Sequence, residues 1–161
     1  LLVLRTGKQD YCRNRALSTA LSGALVWLTA MLPCLLMFFL LLYGREELWR
    51  YPKEAVGNLL STAGKICLIA SALSSFGAFS GTVSGSSYLA LGLPFILYSF
   101  GIILRERYLD FLYYIDPSEW ILAENDWGCG QYALWIFLLL LSLSMALLHL
   151  AALERKVETQ L

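Results

Sequence analysis

Three apolar stretches organise this chain: residues 16–43, 59–104 and 132–153, each rich in leucine and nearly free of charge. Polar and charged positions gather in the short segments before, between and after them. A bilayer core of roughly 30 Å is crossed by about 20 apolar residues of helix, so the first and last stretches each supply one span. As a single helix the middle stretch would reach roughly 70 Å at about 1.5 Å per residue. It must therefore fold back, and the run Ser80-Gly81-Thr82-Val83-Ser84-Gly85-Ser86-Ser87 is where its helical preference is weakest. The pattern predicts an all-α, polytopic helical bundle with about four transmembrane helices, near residues 16–43, 59–79, 88–104 and 132–153.

The spans differ in character. Pro33 sits inside the first, where it removes a backbone hydrogen bond that neighbouring helices can compensate. The second is the least apolar, with Ser61, Thr62, Lys65, Ser71, Ser74 and Ser75, and is expected to face protein rather than lipid. Gly77, Gly81 and Gly85 recur every fourth residue. They admit two readings: a smooth strip for close helix packing, or a turn into the third span. Gly92, Pro94 and Gly101 lie in that third span.

The segments between spans carry their own signals. Residues 44–58 form a connector with Trp49 and Tyr51 at interfacial positions. Residues 105–130 are aromatic and acidic. Tyr108, Leu112 and Ile115 fall at helical spacing, with Glu106, Arg107 and Asp110 towards another face, as in a short helix lying in the interface. Asp116-Pro117-Ser118-Glu119 reads as a second helix start, over about residues 117–125: Asp116 as cap, Pro117 in the first position, Glu119 as the capping-box acid. Trp120 and Trp127 are further interfacial anchors. The acids of this connector (Glu106, Asp110, Asp116, Glu119, Glu124, Asp126) are expected to be solvated or interfacial.

A hydrophobic fraction of 58% against 15% charged residues fits four crossings better than a soluble core. The net charge of zero hides segregation: residues 1–15 form a basic arm with Arg5, Lys8, Arg13 and Arg15 against Asp10, and the tail 154–161 adds Arg155 and Lys156. The connectors together hold a comparable number of basic residues, but the first helix dominates orientation and its flank is basic. That favours both termini in the cytoplasm and residues 105–130 outside. No basic stripe suited to nucleic acid is present. The first apolar block is too long for a signal peptide and lacks a small-residue cleavage pattern. The chain opens on Leu1 without an initiator Met, as expected of a piece of a longer protein or a sequence lacking its true start.

Candidate chemistry is sparse. Cys12, Cys34, Cys67 and Cys129 show no Cys-x-x-Cys spacing, and read as small apolar side chains rather than metal ligands or a disulfide framework. His149, the one histidine, lies near the end of an apolar helix and is expected to pack there or reach the interface. No nucleophile elbow, metalloprotease helix or phosphate loop occurs, and Gly7-Lys8 lacks the rest of such a loop. No catalytic, metal or cofactor site is expected. Lys65 is the one charge well inside a span; it is either a functional intramembrane charge or a side chain snorkelling to the connector-side end.

Three features, in this order, resemble the membrane-spanning permease subunit of type-2 ABC transporters, an exporter class common in bacteria. The basic stretch Leu4-Arg5-Thr6-Gly7-Lys8, then Tyr11 and Arg13-Asn14-Arg15, runs straight into a span. The serine- and glycine-rich run Ala70-Ser71-Ala72-Leu73-Ser74-Ser75-Phe76-Gly77 follows. Tyr114-x-x-Pro117-x-x-Trp120 then looks like the element that precedes the last crossing in that family. The similarity covers nearly all of these residues and implies the last four of the family's six spans; its first two have no counterpart here.

It further implies a plasma-membrane protein with cytoplasmic termini that works by changing conformation and has no catalytic site. Residues 1–15, with Arg5, Lys8, Arg13 and Arg15, would couple to a separate ATPase subunit that binds the ATP. Residues 105–125, with Asp116, Pro117, Glu119 and Trp120, would form paired outer helices. A second permease copy or related permease would complete the pathway. The resemblance names no substrate. The alternative is a non-transporting immunity or assembly subunit that associates through Gly77, Gly81 and Gly85. An intramembrane enzyme would need His149 and an acid in one cavity.

Overall fold

The computed structural model describes residues 7–42, 52–108, 113–122, 127 and 131–160. Arg5, Cys129, Leu112, Asp110, Glu124, Asp126, Trp49 and Tyr51 lie outside them. Among these residues five α-helices and a 3-10 turn follow in order: α1 (Lys8–Leu42), α2 (Pro52–Ser84), α3 (Ser87–Tyr108), the turn Tyr113–Ile115, α4 (Glu119–Leu122) and α5 (Gln131–Gln160). The four long helices are each long and apolar enough to cross a membrane. The molecule is an all-α bundle built to span a bilayer.

The helices outrun the apolar stretches. The basic residues 8–15 are no separate arm: α1 starts at Lys8, directly after Gly7 at φ 79°, and continues unbroken through Pro33. Nothing between Lys8 and Arg15 breaks a helix, so the backbone continues past the apolar boundary. Likewise α2 extends beyond 59–79 at both ends, and α3 runs on to Tyr108, absorbing the start of the expected interfacial helix.

α2 is the central element and packs on α1, α3 and α5. Its serines work inside the protein, as expected from its composition. Ser74 Oγ donates to the Thr19 carbonyl of α1 at 3.0 Å, Ser142 Oγ of α5 donates to Ser71 Oγ at 3.0 Å, and Ser80 Oγ donates to the Leu89 carbonyl of α3 at 3.2 Å. Between helices in lipid, where no hydrophobic force drives association, such bonds and close backbone approach are the main adhesives. Gly23 meets Ser74 and the Ala70 carbonyl, and Gly64 lies under the Trp135 ring.

The two glycine readings are divided by position. Gly77 and Gly81 face α3 at Ala90 and Pro94, leaving no room for a Cβ at Gly77 beside the Ala90 carbonyl. Gly85 instead makes the turn, at φ 70°, with open space around it. The α2–α3 turn lies at the end that holds the start of α1 and the close of α5, where Lys156 Nζ donates to the Thr82 carbonyl at 3.3 Å and Lys8 pairs with Glu158. Away from these seams the surface is leucine and phenylalanine: Leu25, Leu32, Leu91, Phe95, Leu140 and Leu147 all point outwards, as a lipid-facing surface requires.

Candidate functional site

Two places concentrate polar chemistry, one at each end of the bundle. At the connector end the chain turns back over the bundle after α3. Gly101 is buried where Ile115 and Pro117 cross α3, too close to leave space for a larger residue without adjustment. Asp116 organises the crossing. It is 1% exposed, and its Oδ1 accepts from the Ser118 backbone N–H at 2.9 Å and from Ser118 Oγ at 2.7 Å. Its Oδ2 lies 3.3 Å from Arg105 Nη1 at the end of α3. The Asp116 carbonyl accepts from the Glu119 N–H at 3.1 Å, and the Ser118 carbonyl accepts the N–H groups of Ile121 and Leu122.

Asp116 thus closes a side-chain turn of the kind aspartate favours, and Pro117 supplies the fixed φ that this turn tolerates. The helix itself begins two residues later than expected, at Glu119. The acids at 116 and 119 are not solvated, as their composition suggested: both are buried. Asp116 tolerates burial because donors meet both of its oxygens.

Aromatic rings lock the element onto α5. Trp120 Nε1 donates to the Tyr114 carbonyl at 2.8 Å, Tyr114 meets Trp127 edge-on at 4.9 Å, and both tryptophans lie against Phe137. Trp127 joins Ile69, Leu134 and Leu138 in the buried core. Beneath this roof, between α2, α3 and α5, is an apolar cavity of ≈ 480 Å³ whose walls include Leu73, Phe76, Tyr98, Pro117, Trp120 and Met145.

Lys65 also belongs to this end. It is 5% exposed, and its ammonium reaches the Ile121 carbonyl of α4 at 3.5 Å, the long limit of a hydrogen bond. It points towards the connector, as snorkelling predicts, and ends buried under α4.

At the opposite end, the starts and finishes of the terminal helices converge. Cys12, Ala16 and Leu153 form a small buried cluster between α1 and α5. Lys8 Nζ donates to Glu158 Oε1 at 2.6 Å, and Arg15 Nη1 donates to the Tyr11 hydroxyl at 2.6 Å while its guanidinium lies over that ring. Arg13 is exposed and meets no acid within ion-pair distance among the described residues. The basic positions of the α1 start therefore share one surface with Arg155 and Lys156 of α5, a juxtaposition that linear spacing does not reveal.

His149 is buried in α5, and its Nδ1 has no hydrogen-bond partner among the described residues. Cys12 is buried, Cys67 half-buried and Cys34 exposed, all as free thiols. Among the described residues no group of histidine, cysteine and carboxylate side chains is arranged to hold a metal. No family model, curated protein or solved structure matches the chain.

Proposed function

We propose that this chain is a membrane-spanning permease subunit of an ATP-driven ABC transporter, an exporter whose ATP is bound and hydrolysed on a separate ATPase subunit. The observation that carries this reading is the Tyr114–Trp120 element, a turn and short helix anchored by buried Asp116 on Arg105 and seated just before the last span. At the other end of the bundle the basic start of α1 is continuous with its span, so a force applied at Lys8, Arg13 or Arg15 travels along an unbroken helix to the connector end.

In this mechanism the ATPase pushes on the cytoplasmic, basic end of the bundle. α1 and α5, joined there by the Cys12–Leu153 cluster, tilt together, and α2 carries the motion to α3. The substrate path forms between this chain and a second permease copy or related permease, both in the plasma membrane with termini inside. Lys65 is the intramembrane charge on α2 that the moving connector covers and uncovers. A non-transporting assembly subunit is the other reading, but Gly77 and Gly81, the strip offered for it, are occupied by α3 within the chain.

The test is a pull-down of the full-length gene product from its native membrane, as wild type and with charge reversals at Arg5, Lys8 and Arg13. Loss of a co-purifying ATPase in the variant supports the coupling role; an unchanged complex contradicts it.

A further inference from the structure

We propose that the crevice between the closing turns of α2 and α5 is a binding site for one anionic phospholipid of the adjacent leaflet. The crevice has a volume of ≈ 840 Å³ and opens at the basic end of the bundle. Its inner wall is apolar, built by Phe79 and Val83 of α2 and by Leu148, Ala151 and Ala152 of α5. Its outer rim is polar and cationic: Thr82, Ser84, Arg155, Lys156 and Thr159. α3 leaves it open, because α3 packs on α2 and on the connector turn, not along α5.

Length and charge together select the occupant. From Leu148 to Thr159 the crevice follows α5 for about 16 Å at 1.5 Å per residue. Of that length the apolar wall, Leu148 to Ala152, takes about 6 Å at the headgroup-proximal edge of one leaflet, and Arg155 to Thr159 lie beyond the hydrocarbon. The apolar wall thus lies where an acyl chain lies, and Arg155 and Lys156, just beyond the apolar stretch that ends at Leu153, lie at headgroup level. Lys156 is held over the mouth by its bond to the Thr82 carbonyl at 3.3 Å. Arg155 is exposed beside it, with Glu158 as the nearby acid, and Glu158 is already engaged by Lys8 at 2.6 Å. A zwitterionic headgroup would gain less from this pair than a phosphoglycerol headgroup of net negative charge. A lipid here requires no ATPase partner, so the site stands or falls separately from the transporter reading.

The experiment is native mass spectrometry of the purified full chain in detergent, titrated with the anionic lipid POPG and, in parallel, with zwitterionic POPC. The expected result is one POPG bound per chain in clear preference to POPC, undisplaced by inorganic phosphate. In the double variant Arg155→Gln, Lys156→Gln the apparent Kd for POPG should weaken roughly 30-fold, each basic residue near the surface contributing about fivefold. Ala151→Phe, which fills the crevice from an exposed position without changing charge, should weaken it too. A double variant on the same surface but outside the crevice, Arg13→Gln, Arg15→Gln, should retain binding. Equal POPG and POPC affinity, displacement by phosphate, an equal loss in the Arg13, Arg15 variant, or full binding in Ala151→Phe each overturns the site.

Discussion

Arg105 Nη1 and Asp116 Oδ2 lie 3.3 Å apart, tying the end of α3 to the turn that opens the last connector. The Arg105 side chain is 32% exposed and that of Asp116 1%, so the pair lies at the edge of the protein with the carboxylate inside. Solvent screens such a pair, and its worth falls below that of a fully buried one. Asp116→Ala also leaves the Ser118 N–H and hydroxyl without their acceptor. It should destabilise the connector by about 1–3 kcal/mol, read as a lowered Tm in detergent. Asp116→Asn keeps an oxygen for Ser118 and should lose less. Equal Tm values for the two variants would mean that the ion pair, not the turn, is what matters.

The glycines of α2, of α3 and of the turn between them differ in what surrounds them, and their alanine variants should differ in sign. At Gly77 a Cβ would meet the Ala90 carbonyl, a backbone atom that cannot move without shifting α3. Gly77→Ala should cost about 1–3 kcal/mol. At Gly92 nothing lies within reach, so Gly92→Ala should be neutral or stabilise by up to about 1 kcal/mol. Gly85→Ala meets no neighbour but would hold φ near 70°, a strain of about 1–2 kcal/mol, and Gly85→Asn should recover much of it. Thermal unfolding of the four variants checks the series.

What periodicity and composition revealed was the number of spans and which of them faces protein rather than lipid. Apolar stretches report where lipid lies, and Ser71, Ser74 and Ser75 on α2 were legible as protein-facing. Helix ends were less so: Lys8–Arg15 are polar yet helical, because a helix continues until something stops it. The connector was the least legible. Asp116 and Glu119 carry the residue types of a solvated loop, and only the fold-back over Gly101 puts them inside. The division of labour between Gly77, Gly81 and Gly85 depends equally on where α3 returns.

Lys65 should separate stability from function. A cation at 5% exposure with one weak carbonyl contact gains little in return for its lost hydration. Lys65→Met, similar in length and uncharged, should keep or raise the Tm and, on the permease reading, reduce export in cells. A large drop in Tm would instead show that the ammonium holds α2 to the connector.

The Lys8–Glu158 pair joins the start of α1 to the close of α5, with Glu158 well exposed. Lys8→Gln should therefore change the Tm little, and less still in high salt, which screens surface charges. If coupling runs through this surface, the same variant should weaken ATPase association more than it weakens the fold. A large, salt-independent fall in Tm would assign Lys8 to structure instead.

The most direct test of the permease reading is affinity purification of the full-length gene product from its native membrane in mild detergent, with mass spectrometry of what accompanies it. A stoichiometric ATP-binding subunit, whose ATPase activity changes when the membrane subunit is present, is the predicted result. Recovery of the membrane protein alone, repeatedly and across detergents, would contradict the account and favour an assembly or immunity role.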